Sequence, residues 1–117
     1  MMLLKFRDRE DTEFVRVYWQ DLNGQSVPGL LKEIRRTKGD FTAPYHMIIT
    51  KDGTIHTIRN IEAVAGYELA DSEYGVHILV DSTSNDAMTR VQKLALDDAL
   101  KNIKTKYPNI SEEDYYE

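Results

Sequence analysis

The sequence predicts an α/β fold with a mixed central sheet of about four to five strands and helices packed on its faces. Three observations carry that expectation. Residues 44–59 read as a β-hairpin, two β-rich apolar runs about a Lys51-Asp52-Gly53 turn. Gly75-Val76-His77-Ile78-Leu79-Val80 is a near-continuous apolar run, the pattern of a central strand covered on both faces. A long amphipathic segment follows at residues 89–106. At 117 residues the chain reads as one domain, 1–117, with room for a single core.

Taken in order, residues 5–12 alternate charge with few apolar side chains and read as a solvated lead-in, with an edge strand around residues 3–6. Phe14-Val15-Arg16-Val17-Tyr18-Trp19 is β-branched and aromatic, which predicts a strand, and Asp21-Leu22-Asn23-Gly24 breaks it. Ser26 then caps a helix running toward Gly39. Pro28 falls in its first turn, where the missing N–H costs nothing, and Gly39 suits the position after the last turn. Val27, Leu30, Leu31 and Ile34 form its apolar stripe, leaving Lys32, Arg35, Arg36 and Lys38 mostly to solvent. In the hairpin turn Gly53 takes positive φ without steric penalty. Residues 60–72 have no sustained period and read as a loop with one helical turn, and residues 81–86 as a polar loop. Thr89 and Gln92 have capping-box spacing, and Pro108 stops the helix that they open. Val91, Ala95, Leu96, Ala99, Leu100, Ile103 and Tyr107 make its wide apolar face. Residues 111–117 read as an acidic, aromatic tail, and such chain ends are usually solvated.

Composition narrows the function. The net charge is −5 and no basic cluster is longer than residues 32–38, which argues against nucleic acid as a partner. The absence of cysteine excludes disulfides and thiolate chemistry. No apolar run approaches the roughly 20 residues that span a bilayer. The first seven residues are too short and too soon charged for a signal peptide, so the expected place of action is the cytoplasm.

His46, His56 and His77 match no short metal motif, and on strands they read as hydrogen-bonded core or rim histidines. A three-histidine metal site is the sharper alternative. The carboxylates Asp97-Asp98, Glu112-Glu113-Asp114 and Asp71 with Glu73 read as solvated faces. Ser82, Thr83 and Ser84 lack the Gly-x-Ser-x-Gly context of a serine hydrolase, and no glycine loop suits a phosphate. No cofactor is expected.

At the hairpin, Ala43-Pro44-Tyr45-His46-Met47-Ile48-Ile49-Thr50-Lys51-Asp52-Gly53-Thr54-Ile55 with Ile58-Arg59 resembles the core signature of the zinc N-acetylmuramoyl-L-alanine amidase fold. Phage amidase-type lysozymes and animal peptidoglycan recognition proteins share that fold. Phe6-Arg7-Asp8-Arg9-Glu10-Asp11-Thr12 resembles the N-terminal segment of small podovirus lysozymes, and residues 63–66, 74–80 and 89–107 follow the same order of elements. The resemblance implies a zinc ligand at the end of the first strand, where this chain has Tyr18. It places the other two ligands past the long helix, and no match for them is found before Glu117. The expectation is a member without zinc ligands: no catalytic residues, no metal, and a vestigial pocket of Tyr18, Tyr45, His46, Arg59 and Tyr67. The podovirus lysozyme that the N-terminal segment resembles most both cleaves cell wall and binds and inhibits its phage's RNA polymerase. The resemblance therefore implies a phage or prophage protein that binds, and possibly inhibits, an intracellular protein such as a polymerase or a host defence protein. Arg7, Arg9, Trp19 if exposed, Tyr115 and Tyr116 are its candidate contacts. Muropeptide binding without cleavage is the alternative, followed by an active amidase.

Overall fold

In a computed structural model, the structure describes residues 12–38, 45–58, 61, 75–108, 110 and 112–116, with residues 34, 35, 37, 38 and 112–116 described by their backbone alone. The expected strand near residues 3–6, most of the 60–72 loop and Gly39 lie outside the described residues. The elements are β1 (Phe14–Gln20), α1 (Val27–Lys38), β2 (Met47–Ile49), β3 (Ile55–Thr57), β4 (Gly75–Asp81), α2 (Arg90–Lys106) and β5 (Glu112–Tyr116).

The five strands form one mixed sheet in the order β3-β2-β4-β1-β5. β4 lies at its centre, parallel to both β1 and β2, and all seven of its residues are buried, as its apolar run requires. β2 and β3 form the antiparallel hairpin. Side chains alternate across the sheet and so build two half-cores. Val15, Val17, Trp19, Ile49, Val76, Ile78 and Val80 pack with Met88, Leu96, Leu100 and Ile103 from α2 and the loop before it. Ile48 and Leu79 pack on the other side with Leu22, and with Val27 and Leu30 of α1, against Tyr18 and Tyr45.

Local chemistry agrees with the expected boundaries. The Ser26 hydroxyl accepts the Gly29 N–H at 3.1 Å, and Asn23 and Gly24 take positive φ of 54° and 79° where β1 ends. Thr89 caps α2 in a complete capping box with Gln92. The Thr89 hydroxyl also donates to the Lys51 carbonyl at 2.8 Å, which ties the hairpin turn to the start of the helix. There Gly53, at φ 81°, lies against Val91 so closely that an added Cβ would stand 2.9 Å from the Val91 Cβ.

Three expectations are corrected. Residues 112–116 are not a solvated tail but β5, laid parallel along β1 from Phe14↔Glu112 to Tyr18↔Tyr116. A ladder to β1 pairs one side of their backbone, and a strand that ends the sheet among the described residues tolerates acidic residues. Val91 is 47% exposed, and Gln92 takes the buried place on α2. The amide of Gln92 reaches the Asp81 carbonyl at 2.9 Å, and its oxygen accepts the Thr89 N–H, so burial leaves no polar atom stranded. Thr12, placed in the solvated lead-in, is buried at the entry to β1.

Candidate functional site

The α1 side of the sheet carries a row of aromatic and imidazole side chains. Phe14 and Tyr18 come from β1, His77 from β4, and Tyr45 and His46 from the entry to β2. His77 and His46 stand two residues before Leu79 and Ile48, so the pleat puts all four on one face. His46 and His77 are fully buried. Their rings stack with centroids 6.0 Å apart and planes 11° from parallel. Tyr18 stacks on His77 at 5.9 Å and meets Tyr45 edge to face at 5.5 Å. Phe14 closes the row, edge-on to His77 at 5.9 Å, with the Arg16 guanidinium 4.1 Å from its own ring centroid. The Phe14 ring also fills the space that a side chain at Gly75 would take.

Hydrogen bonds fix the row. The Tyr18 hydroxyl and His77 Nδ1 are 3.0 Å apart. His46 Nδ1 accepts the backbone N–H of His77 at 3.0 Å, and the His46 N–H donates to the His77 carbonyl at 2.8 Å. The His46 carbonyl accepts the Ile58 N–H at 2.9 Å. His46 thereby prolongs the β2–β4 ladder with its own ring. An Nδ1 that accepts a backbone N–H carries no proton, so neutral His46 is protonated at Nε2. His56 stands apart on β3, where its Nε2 lies 3.3 Å from the Thr50 hydroxyl.

A second polar cluster holds the end of the sheet. Asp81 is buried at the end of β4, and it accepts the Leu22 N–H at 2.9 Å and faces Lys51 Nζ at 3.8 Å. Lys51 Nζ also lies 3.3 Å from Asp21. The Asn23 N–H, and then Lys51, hold the Asp21 carboxyl below its ordinary range. In the turn, the Thr50 hydroxyl and then the Thr54 N–H lower Asp52 to about 2. Position gave the only signal for Asp81, an acid directly after an apolar strand, and its role depends on contacts that no local pattern encodes.

Of the expected pocket residues, the structure brings together Tyr18, Tyr45 and His46 and adds Phe14 and His77, whereas Arg59 and Tyr67 lie outside the described residues. Arg7 and Arg9 also lie outside them, and Tyr115 and Tyr116 are placed by backbone alone in β5. Trp19 does not serve as an exposed anchor: it is 6% exposed and packs on the α2 side. The histidines do not converge as a metal site. A protein zinc site needs three or four converging donors in a tetrahedral array. Here His46 Nδ1 and His77 Nδ1 are engaged within the protein, and among the described residues no three of His, Cys, Asp and Glu lie together. The described donor set does not fit a zinc ion.

No protein-family model and no curated protein matches the chain. Solved structures do. The endolysin N-acetylmuramoyl-L-alanine amidase LysCS from Clostridium intestinale URNW superposes with a TM-score of 0.82 at 20% identity, over 96% of this chain and 73% of that one. Drosophila PGRP-LB, a variant solved in complex with tracheal cytotoxin (TCT), gives 0.77 at 12% identity, over 96% and 73%. The Ph2119 endolysin from a Thermus scotoductus bacteriophage gives 0.75 at 14% identity, over 94% and 75%. The chain has the fold shared by N-acetylmuramoyl-L-alanine amidases and peptidoglycan recognition proteins.

Proposed function

We propose that this chain is a binding protein on the amidase scaffold and not a zinc hydrolase. One observation carries the proposal: at Tyr18, the place where the resemblance puts a zinc ligand, a phenol is hydrogen-bonded to His77 Nδ1 at 3.0 Å. A hydrolase of this kind relies on a metal to make hydroxide near neutral pH and to polarise the amide. A phenol closed onto a buried imidazole does neither. The ligand we infer is a muropeptide. The edge-to-face pair Tyr18 and Tyr45 offers a partly exposed aromatic surface on that face, and PGRP-LB of the same fold was solved with TCT.

A second reading, an intracellular protein partner bound by a phage- or prophage-encoded chain acting in the cytoplasm, draws support from β5. Among the described residues that strand ends the sheet order and carries Tyr115 and Tyr116, and an edge strand can add a partner's strand. Among the described residues, no helix is long and apolar enough to cross a membrane.

Metal analysis of the purified protein, with calorimetric titration of a muropeptide, tests both readings. The expected result is far less than one zinc per chain together with saturable muropeptide binding that Tyr45→Ala weakens. Stoichiometric zinc with cleavage of the muramoyl-alanine bond overturns the non-hydrolytic reading. Absent muropeptide binding, with a protein recovered from cells that Tyr115→Ala releases, moves the function to β5.

A further inference from the structure

On the α2 side of the sheet, away from the Tyr18 row, a cavity of about 590 Å³ opens between the end of β1, the loop before α2 and the first turns of α2. That size is typical of small-molecule sites, which run from about 300 to 1,000 Å³. Trp19, Met88, Leu96 and Leu100 line it, and each is less than a tenth exposed. Asn85, Lys93 and Asp97 complete the lining.

Lys93 and Asp97 are exposed and lie four residues apart on α2, about one helical turn. Lysine before the acid is the weaker order for an i, i+4 pair, and among the described residues no ion pair engages either side chain. A cation and an anion thus stand side by side at the mouth of an indole-, thioether- and leucine-lined cavity. We propose that this cavity binds a zwitterionic small molecule with an apolar or aromatic body, of amino-acid or dipeptide size. Its carboxylate meets Lys93, its ammonium meets Asp97, and its body covers Trp19 and Met88.

Trp19 is the sole tryptophan of the chain, so its fluorescence reports occupancy directly. L-Phenylalanine and the dipeptide phenylalanyl-leucine are titrated into the full chain, with circular dichroism as a check on folding. The expected result is a saturable change with a half-point of about a millimolar or below. The double variant Lys93→Gln with Asp97→Asn alters only exposed side chains, and it should weaken binding about tenfold. Phenethylamine and phenylpropionate, each with one of the two charges, should bind more weakly than phenylalanine. The absence of a saturable change with either zwitterion overturns the proposal. So does binding that the double variant leaves untouched, or equal binding of the singly charged probes. A fluorescence change that follows protein concentration without any probe also overturns it and makes the cavity a contact between copies of the chain.

Discussion

His46→Leu tests whether an imidazole ring stands in for a strand residue at the centre of the sheet. The ring is fully buried, and its Nδ1 accepts the His77 N–H at 3.0 Å. Leucine fills a similar volume but accepts nothing. The stranded N–H belongs to a fully buried residue of the central strand, and an unsatisfied buried donor costs about 1–3 kcal/mol. Losing the stacked pair with His77 adds about 0.5–1 kcal/mol, part of which the more apolar leucine returns. The expected loss is about 2–3 kcal/mol, a large share of the ~5–15 kcal/mol that holds a typical domain together. Urea unfolding followed through Trp19 should show it. With a slope of about 1–3 kcal/mol per molar urea, the midpoint falls by about 1–2 M at unchanged slope. His46→Gln, whose side-chain oxygen can still accept, should recover part of the loss. A His46→Leu protein as stable as the parent, or a glutamine variant no better than leucine, refutes the reasoning.

Thr89→Val removes both the α2 cap and the bond to the Lys51 carbonyl, and should destabilise the fold by about 2 kcal/mol in chemical unfolding, with Thr89→Ser close to the parent. Gly53→Ala forces a β-carbon onto a residue at φ 81°, within 2.9 Å of Val91, and should cost about 1–3 kcal/mol, read as a lower Tm. Asp52 titrates at about 2 in the folded protein against an ordinary 3.8, so its contribution to stability is present above about pH 4 and is lost as the pH falls toward 2. In Asp52→Asn that part of the acid dependence should disappear from stability measured across the same interval.

Much of this architecture is legible in the residues because its signals are local. Gly53 marks the turn, Thr89 with Gln92 marks a helix start, and the run from Gly75 announces a strand covered on both faces. What escaped depends on pairing between distant segments. Glu112, Glu113 and Asp114 have poor strand propensity, and only the register with Phe14, Val15 and Arg16 makes them a strand. Gln92 looks like a solvent residue until Asp81 offers a buried carbonyl at 2.9 Å. The candidate site divides in the same way. The resemblance singled out Tyr18 and Tyr45, but the partnership of Tyr18 with His77 needs β1 and β4 side by side, although the two residues are 59 positions apart in the chain. Trp19, one residue along, points to the opposite face because the side-chain period of a strand is two.

The position of β1 between β4 and β5 also has a kinetic side. Phe14 pairs with Gly75 on one edge and with Glu112 on the other, so neither ladder forms from nearby residues. Loop-closure entropy must be overcome before such contacts stabilise anything, and parallel pairing of this kind folds slowly. During synthesis, β1 leaves the ribosome with Val15, Val17 and Trp19 uncovered and both backbone edges open until β4, and then β5, can reach it. Over that interval the strand that later carries Tyr18 offers two open edges to wrong partners, and each closes only when its own distant segment, β4 or β5, has been made.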